Sequence, residues 1–245
     1  MALLEVRGVN VRFGGHAAVR DVDLDCDAGR ITGLIGPNGA GKTTTFNVIT
    51  GLQDTVSGRV LLDGKDLTGA PAHMRARRGI ARTFQRLEVF GSLTARENIL
   101  TGAEIRKSWS RDRSANPRKE TEALLDRVGI RAVADERVDA MPTGLARLVE
   151  LGRALATQPR LLLLDEPASG LDEGESDEFA DLLLELAGEG MAILLVEHDV
   201  QLVMRVCDLI HVLDFGAILA VGSPEEIQSN QAVLDAYLGT PAEDA

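Results

Sequence analysis

Eight residues constrain this chain more than any other stretch: Gly36-Pro37-Asn38-Gly39-Ala40-Gly41-Lys42-Thr43. They fit the pattern G-x-x-x-x-G-K-[ST], and their flanks supply the strand-turn-helix context that gives the pattern meaning. Arg30–Ile35 reads as an apolar strand, and a helix is expected from about Gly41 to Thr50, with Gly51 marking its end. Glycines let the backbone curl so that successive N–H groups point inward at phosphate oxygens. The helix that follows adds the positive end of its dipole. Lys42 brings a full positive charge to the β- and γ-phosphates, and Thr43 a hydroxyl for Mg²⁺. A glycine-rich turn that binds nothing leaves the Lys-Thr pair unexplained. Residues 36–43 with Thr44 are therefore the candidate cofactor-binding set.

A phosphate loop alone does not choose between a kinase, a GTPase and a motor ATPase. Leu161-Leu162-Leu163-Leu164-Asp165-Glu166 narrows the field. It is a buried strand ending in two carboxylates. Asp165 at the strand tip suits the Mg²⁺ shell, and Glu166 can polarise an attacking water as a general base. The bland alternative is a pair of strand-end acids that solubilise a turn.

Around these motifs the chain alternates in character. Leu3–Val6 and Val19–Leu24 alternate as half-buried strands do. Val60–Leu62 is another strand, followed by a tight turn at Asp63-Gly64. From Leu93 to Gln158 the patterns turn helical. Thr94-Ala95-Arg96-Glu97 opens one helix as a capping box. Arg106–Pro117 reads as a polar loop containing Trp109, and Pro117–Val128 as a second helix closed by Gly129. Trp109 fits either local packing or a partner contact. After Arg160, short buried strands (Leu161–Leu164, Met191–Val196) alternate with helices (Glu173–Ala187, Val200–Val206), which argues for a parallel sheet wrapped by helices. Ser223-Pro224-Glu225-Glu226 is a further capping box.

Composition excludes several function classes. The 245 residues suffice for one sizeable α/β core. A net charge of −12 argues against a broad grip on nucleic acid, which needs many basic groups to displace counterions. Cys26 and Cys207 lack metal-ligand spacing and read as reduced, buried thiols. The N-terminal segment meets a charge too early for a signal peptide, and no apolar run approaches the ~20 residues that span a bilayer. A role at a membrane would require docking to another chain.

The order of the motifs resembles the ATP-binding cassette (ABC) ATPase family over nearly the whole chain. That resemblance implies an α/β fold: a P-loop NTPase with a RecA-like mixed sheet and helices, an N-terminal antiparallel β-subdomain, and an inserted α-helical subdomain. The implied unit is a single domain over 1–242, with the core at 1–92 and 157–242 and the helical part at 93–156. Phe13 stands where the family stacks an aromatic ring on adenine, although a core phenylalanine is the alternative. Gln85, in Arg82-Thr83-Phe84-Gln85, matches the glutamine that touches Mg²⁺ and water. Thr43, Gln85 and Asp165 are thus the implied metal set, and Glu166, His198 and Gln85 the implied catalytic set. His198 matches the switch histidine that contacts the γ-phosphate. Ser169-Gly170-Leu171-Asp172 resembles the loop that reports across a dimer, through Ser169 and Asp172.

The family's signature, Leu-Ser-Gly-Gly-Gln before a basic helix, is matched least well. Met141-Pro142-Thr143-Gly144-Leu145 stands there, with Pro142 for the Ser and Leu145 for the Gln. In the family this segment completes the partner's ATP site, so Pro142, Thr143, Gly144 and Leu145 are expected to act in trans. Gly79–Gln85, Val196–Met204 and the tail Gly222–Ile227 through Ala236-Tyr237-Leu238-Gly239 resemble the ATPases of branched-chain amino acid importers. That implies ATP and Mg²⁺ as cofactors, transmembrane permease subunits and a second ATPase chain as partners, and indirectly a solute-binding protein. It also implies a place on the cytoplasmic face of the cell membrane. Arg86–Leu93, with Val89 and Phe90, is expected to meet a coupling helix of the membrane subunit; an ordinary surface loop is the alternative. Urea and amide importers, lipid-export ATPases and soluble ABC proteins of repair or translation share parts of the pattern. A small-molecule kinase would need an acceptor pocket instead of a water-activating Glu166 and His198.

Overall fold

The computed structural model describes residues 2–112 and 114–238, with Tyr237 and Leu238 as backbone only. The end of the expected domain at 242 and Gly239 of the tail lie outside the described residues. Chain order is β1 (Ala2–Phe13), β2 (His16–Asp27), β3 (Ile31–Ile35), α1 (Lys42–Thr50), β4 (Ser57–Leu62), β5 (Lys65–Asp66), α2 (Ala72–Arg77) and β6 (Ile80–Arg82). Then come α3 (Ala95–Trp109), α4 (Pro117–Arg127), two short 3-10 turns, α5 (Thr143–Leu155), β7 (Leu161–Asp165), α6 (Glu173–Gly188) and β8 (Ala192–Val196). The described residues end with α7 (Val200–Val206), β9 (Leu209–Asp214), β10 (Ala217–Gly222), α8 (Pro224–Gln228) and α9 (Gln231–Leu238).

Two sheets organise these elements. A four-stranded antiparallel sheet has the order β2-β1-β4-β5, and a six-stranded sheet the order β10-β9-β3-β8-β7-β6. In the larger sheet β9, β3, β8, β7 and β6 run parallel and only β10 is antiparallel. The sheet is therefore mixed. Strands buried on both faces need continuous apolar runs, and β7 shows why. Leu161 and Leu163 join the core beneath the antiparallel sheet and α1, whereas Leu162 and Leu164 join the core shared with α3 to α7. Every residue of β3, β7 and β8 is buried.

The topology puts the ends of the parallel strands to use. In open α/β sheets ligands sit outside the carboxyl ends of the strands. The phosphate loop follows β3, Glu166 follows β7, His198 follows β8 and Gln85 follows β6. All four segments thus open on one edge of the sheet.

The sequence reading differs from the structure in places. α3 runs on to Trp109, so Arg106–Trp109 is helical and not part of a loop. Its last turn is held from outside: Arg106 pairs with Glu120 of α4 at 3.1 Å, and the Arg77 guanidinium lies 5.7 Å from the Trp109 ring centroid. Trp109 therefore packs locally. Val89 of the 86–93 segment turns inward against the core, while Phe90 stays 48% exposed. Cys26 and Cys207 are buried free thiols, and burial pushes each up to about 12. Among the described residues no helix is long and apolar enough to cross a membrane.

Candidate functional site

The phosphate loop is shaped by contacts that only glycine permits. Gly36 has φ 150, and a Cβ there would lie 2.0 Å from the Leu213 carbonyl oxygen. Gly41 has φ 110, and its Cβ would meet the Ala18 carbonyl at 2.6 Å. The loop is pinned where it passes β9 and β10, since Gly216 donates its N–H to the Ala40 carbonyl at 2.9 Å. Lys42 folds back over the loop, its ammonium donating to the Gly36 carbonyl at 2.6 Å and the Pro37 carbonyl at 3.0 Å. Burial lowers its pKa, an effect opposed by Glu166 and Asp165. A cavity of about 230 Å³ joins Asn38–Thr44 to Gln85 and Glu166.

Across that cavity, the two carboxylates have different surroundings. Asp165 is buried and accepts from Arg82 at 2.9 Å. Arg82 also donates to the Asn47 side chain of α1 at 2.6 Å, and its guanidinium sits 5.3 Å and 4.8 Å from the ring centroids of Phe46 and Phe84. Burial raises the pKa of Asp165, and Arg82 opposes the rise. Glu166 stands at the rim in the left-handed backbone region, φ 50. Such a conformation costs a non-glycine residue on the order of 1–3 kcal/mol and persists only where neighbours enforce it. The Gln85 amide donates to Glu166 Oε1 at 3.2 Å. His198 is 72% exposed at its side chain, with Nδ1 4.0 Å from Glu166 Oε2, too far for a hydrogen bond.

Gln85 lies in a loop hung on helix α5. Glu150 accepts the N–H groups of Phe84 and Glu88 at 3.2 and 3.3 Å. Arg147, paired to Glu150 at 3.2 Å, donates to the carbonyls of Phe84 and Gln85. Arg153 donates to the Glu88 carbonyl and stacks on Phe90 at 5.1 Å. Burial raises the pKa of Glu150, against which both backbone N–H groups act. Beside this loop a groove of about 320 Å³ is lined by Arg82, Phe84, Phe90, Ile105 and Arg153, among others.

The remaining expected site residues fall elsewhere. Pro142 is the N-cap of α5, Thr143 its first residue, and both are exposed. Gly144 is buried, and a Cβ on it would meet Leu171 Cδ2 at 2.9 Å and the Gly170 carbonyl at 3.0 Å. Leu145 packs partly against the core. Ser169 is exposed, and Asp172 caps α6 by accepting from Glu175 N–H at 2.8 Å. Phe13, at the end of β1, is 52% exposed, which disposes of the core alternative. The sequence assigned no role to Arg82, Asn47, Arg147, Glu150 or Glu197. For Arg82 and Arg147 the available signal was a positive charge where a strand or an apolar helix face should be neutral.

Thr43, Gln85 and Asp165 offer a hydroxyl, an amide carbonyl and a carboxylate, all hard oxygen donors of the kind Mg²⁺ takes. Among the described residues no group of three or more His, Cys, Asp or Glu can hold a metal alone. A Mg²⁺ ion here fits only with water and phosphate oxygens completing its shell, which is its usual habit.

Residues 19–169 match the family described as ABC transporter, and residues 217–243 match one described as branched-chain amino acid ATP-binding cassette transporter. The high-affinity branched-chain amino acid transport ATP-binding protein BraF of Pseudomonas aeruginosa is 40% identical, over 97% of this chain and 98% of that one. The lipopolysaccharide export system ATP-binding protein LptB of Haemophilus influenzae is 34% identical, over 98% of both. A crystal structure of a nucleotide-free ATP-binding cassette from an ABC transporter superposes with a TM-score of 0.86 at 30% identity, covering 98% of this chain and all of that one.

Proposed function

The chain belongs to the ABC transporter family as an ATP-binding, ATP-hydrolysing subunit, and from that premise we propose that it powers import of branched-chain amino acids. The match over 217–243 carries this choice. It favours amino acid import over the lipopolysaccharide export that the LptB relative serves. The tail of this chain has no contact with the solute in this reading; its membrane partners select the cargo.

Each residue then has a task. The N–H groups of 36–44 and the Lys42 ammonium bind the phosphates, and Phe13 stacks on the base. Thr43, Gln85 and Asp165 hold Mg²⁺, which when bound neutralises charge on the phosphates. Arg82 favours the ionised form of Asp165 against the effect of its burial. Glu166 takes the proton of the attacking water, Gln85 orients that water and fixes the Glu166 carboxylate, and His198 contacts the γ-phosphate. Met141–Leu145 and the loop carrying Ser169 and Asp172 face a second ATPase chain, so that ATP closes a dimer by touching both faces. Only such differential affinity shifts a conformational equilibrium.

The helical segment 93–156 forms a subdomain inserted into the core that the chain builds before residue 93 and after residue 156. The groove at Phe84 and Phe90 receives a helix of a permease subunit, which places the chain on the cytoplasmic face of the membrane. Purification with its membrane subunits into vesicles tests the whole reading: ATP-dependent uptake of leucine, isoleucine or valine supports it, and uptake of an unrelated solute alone overturns it. Glu166→Gln tests the site, with nucleotide affinity preserved and turnover lowered by roughly 10²–10⁴. A variant that keeps more than about a tenth of the wild-type rate removes Glu166 from the role of base.

A further inference from the structure

One buried carboxylate near the site has no part in the chemistry above. Glu197 sits between the end of β8 and His198, and is only 4% exposed. A buried charge must be compensated, and here backbone N–H groups do it. Oε1 accepts from Ala168 N–H at 2.9 Å. Oε2 accepts from His198 N–H at 3.1 Å and Asp199 N–H at 3.4 Å. The two oxygens therefore hold two different loops, one carrying Glu166 and the other His198.

The first of those loops needs holding. Glu166 has φ 50, and its N–H is the last to follow the register of β7 on β8, donating to the Val196 carbonyl at 2.9 Å. Beyond it the chain reverses through Pro167, and Ala168 is where Glu197 catches it. The second loop carries a histidine whose ring is largely exposed and has no hydrogen bond to Glu166. Its Nδ1 lies 3.8 Å from Glu197 Oε2, beyond a hydrogen bond, so Glu197 holds the residue through its backbone N–H.

We propose that Glu197 is a positioning residue that sets the spacing of Glu166 and His198 by tying together the loops that carry them. This rests on the reading of those two residues given above. The carboxylate suits the task because every group that it hydrogen-bonds is a backbone N–H donor. In Glu197→Gln the amide must turn its NH₂ toward either Ala168 N–H or the pair at His198 and Asp199, so one loop loses its acceptor.

Hydrolysis is read in the assembled complex, and amide resonances in the isolated full chain. In Glu197→Gln, single-turnover ATP hydrolysis should slow about tenfold while nucleotide affinity stays within about twofold, since the phosphate loop is untouched. The amide proton resonance of Ala168 or of His198 and Asp199 should move upfield as its charge-assisted bond is lost. In the double variant with His198→Ala, the combined loss should be smaller than the product of the two single losses, because part of the Glu197→Gln effect runs through His198. A folded Glu197→Gln protein hydrolysing within about twofold of wild type overturns the inference, and so do losses that multiply in the double variant. If Glu197→Gln does not fold, Glu197→Asp, which keeps the charge but cannot span both loops, meets the same criteria. His198→Ala at the wild-type rate would sink the site reading and this inference together. A slow His198→Ala with multiplying losses would sink the inference alone.

Discussion

Helices α1 and α5, like the short α2, begin without a side-chain cap, whereas Thr94, Asn116, Asp172, Asp199 and Ser223 cap α3, α4, α6, α7 and α8. Uncapped first turns leave N–H groups free for an anion. The two starts are nonetheless built differently. The α1 start is framed by its own chain, with Gly41 against Ala18 and Lys42 anchored on the loop carbonyls. The α5 start follows an exposed Pro142 and Thr143, with Gly144 and Ala146 buried behind them and Leu145 partly packed. A phosphate site complete in one chain needs the first arrangement. A surface that waits for another molecule needs only the second.

Substitutions can break or sharpen that contrast. The largest effect is expected for Gly41→Ala, whose Cβ would strike the Ala18 carbonyl from a left-handed backbone. Nucleotide affinity of the isolated chain should fall at least about 100-fold, roughly 2.7 kcal/mol, in a fluorescent-nucleotide titration. Unchanged affinity would mean that the loop is not preorganised. Gly144→Ala should act on the other start. Its Cβ meets a flexible Leu171 side chain but also the Gly170 backbone, so stability should fall by about 1–2 kcal/mol. Nucleotide affinity of the isolated chain should hold, and ATP turnover of the assembled complex should drop about tenfold, roughly 1.4 kcal/mol. A parallel loss of affinity in the isolated chain would erase the difference between the two starts. Leu145→Gln is the mildest change, because Leu145 is only partly packed. Turnover in the complex should rise up to about threefold, roughly 0.6 kcal/mol. No rise would show that the first-turn N–H groups suffice without a side-chain amide.

What the sequence disclosed follows from the range of the forces involved. The phosphate loop, the apolar runs of β3, β7 and β8 and the capping boxes at Thr94 and Ser223 are set within a few residues, and all were readable. β6 was not readable as a strand, since Ile80–Arg82 is three residues long and ends in an arginine. That arginine is tolerated only because Asp165, Asn47 and two phenyl rings from distant segments surround it. The α3 extension to Trp109 likewise depends on Arg77 and Glu120. Hairpin β9–β10 and helices α2 and α9 leave little local trace in the sequence, because their patterns are short and their burial is set by neighbours. Of the site, the residue types were legible. Glu150 and Glu197 were not, because nothing local separates a glutamate that grips another loop from one that faces water.

The fastening of the 84–88 segment to α5 has a kinetic corollary. The amide protons of Phe84 and Glu88 point at Glu150, which is 2% exposed. They can reach solvent only when that side chain lets go, which requires α5 itself to open locally. In hydrogen exchange these two amides should therefore keep the tempo of a buried helix and not that of the exposed loop they belong to. By the same tie, a weight placed on Phe84 or Phe90 from the groove is felt at Gln85 without any element of the sheet having to yield.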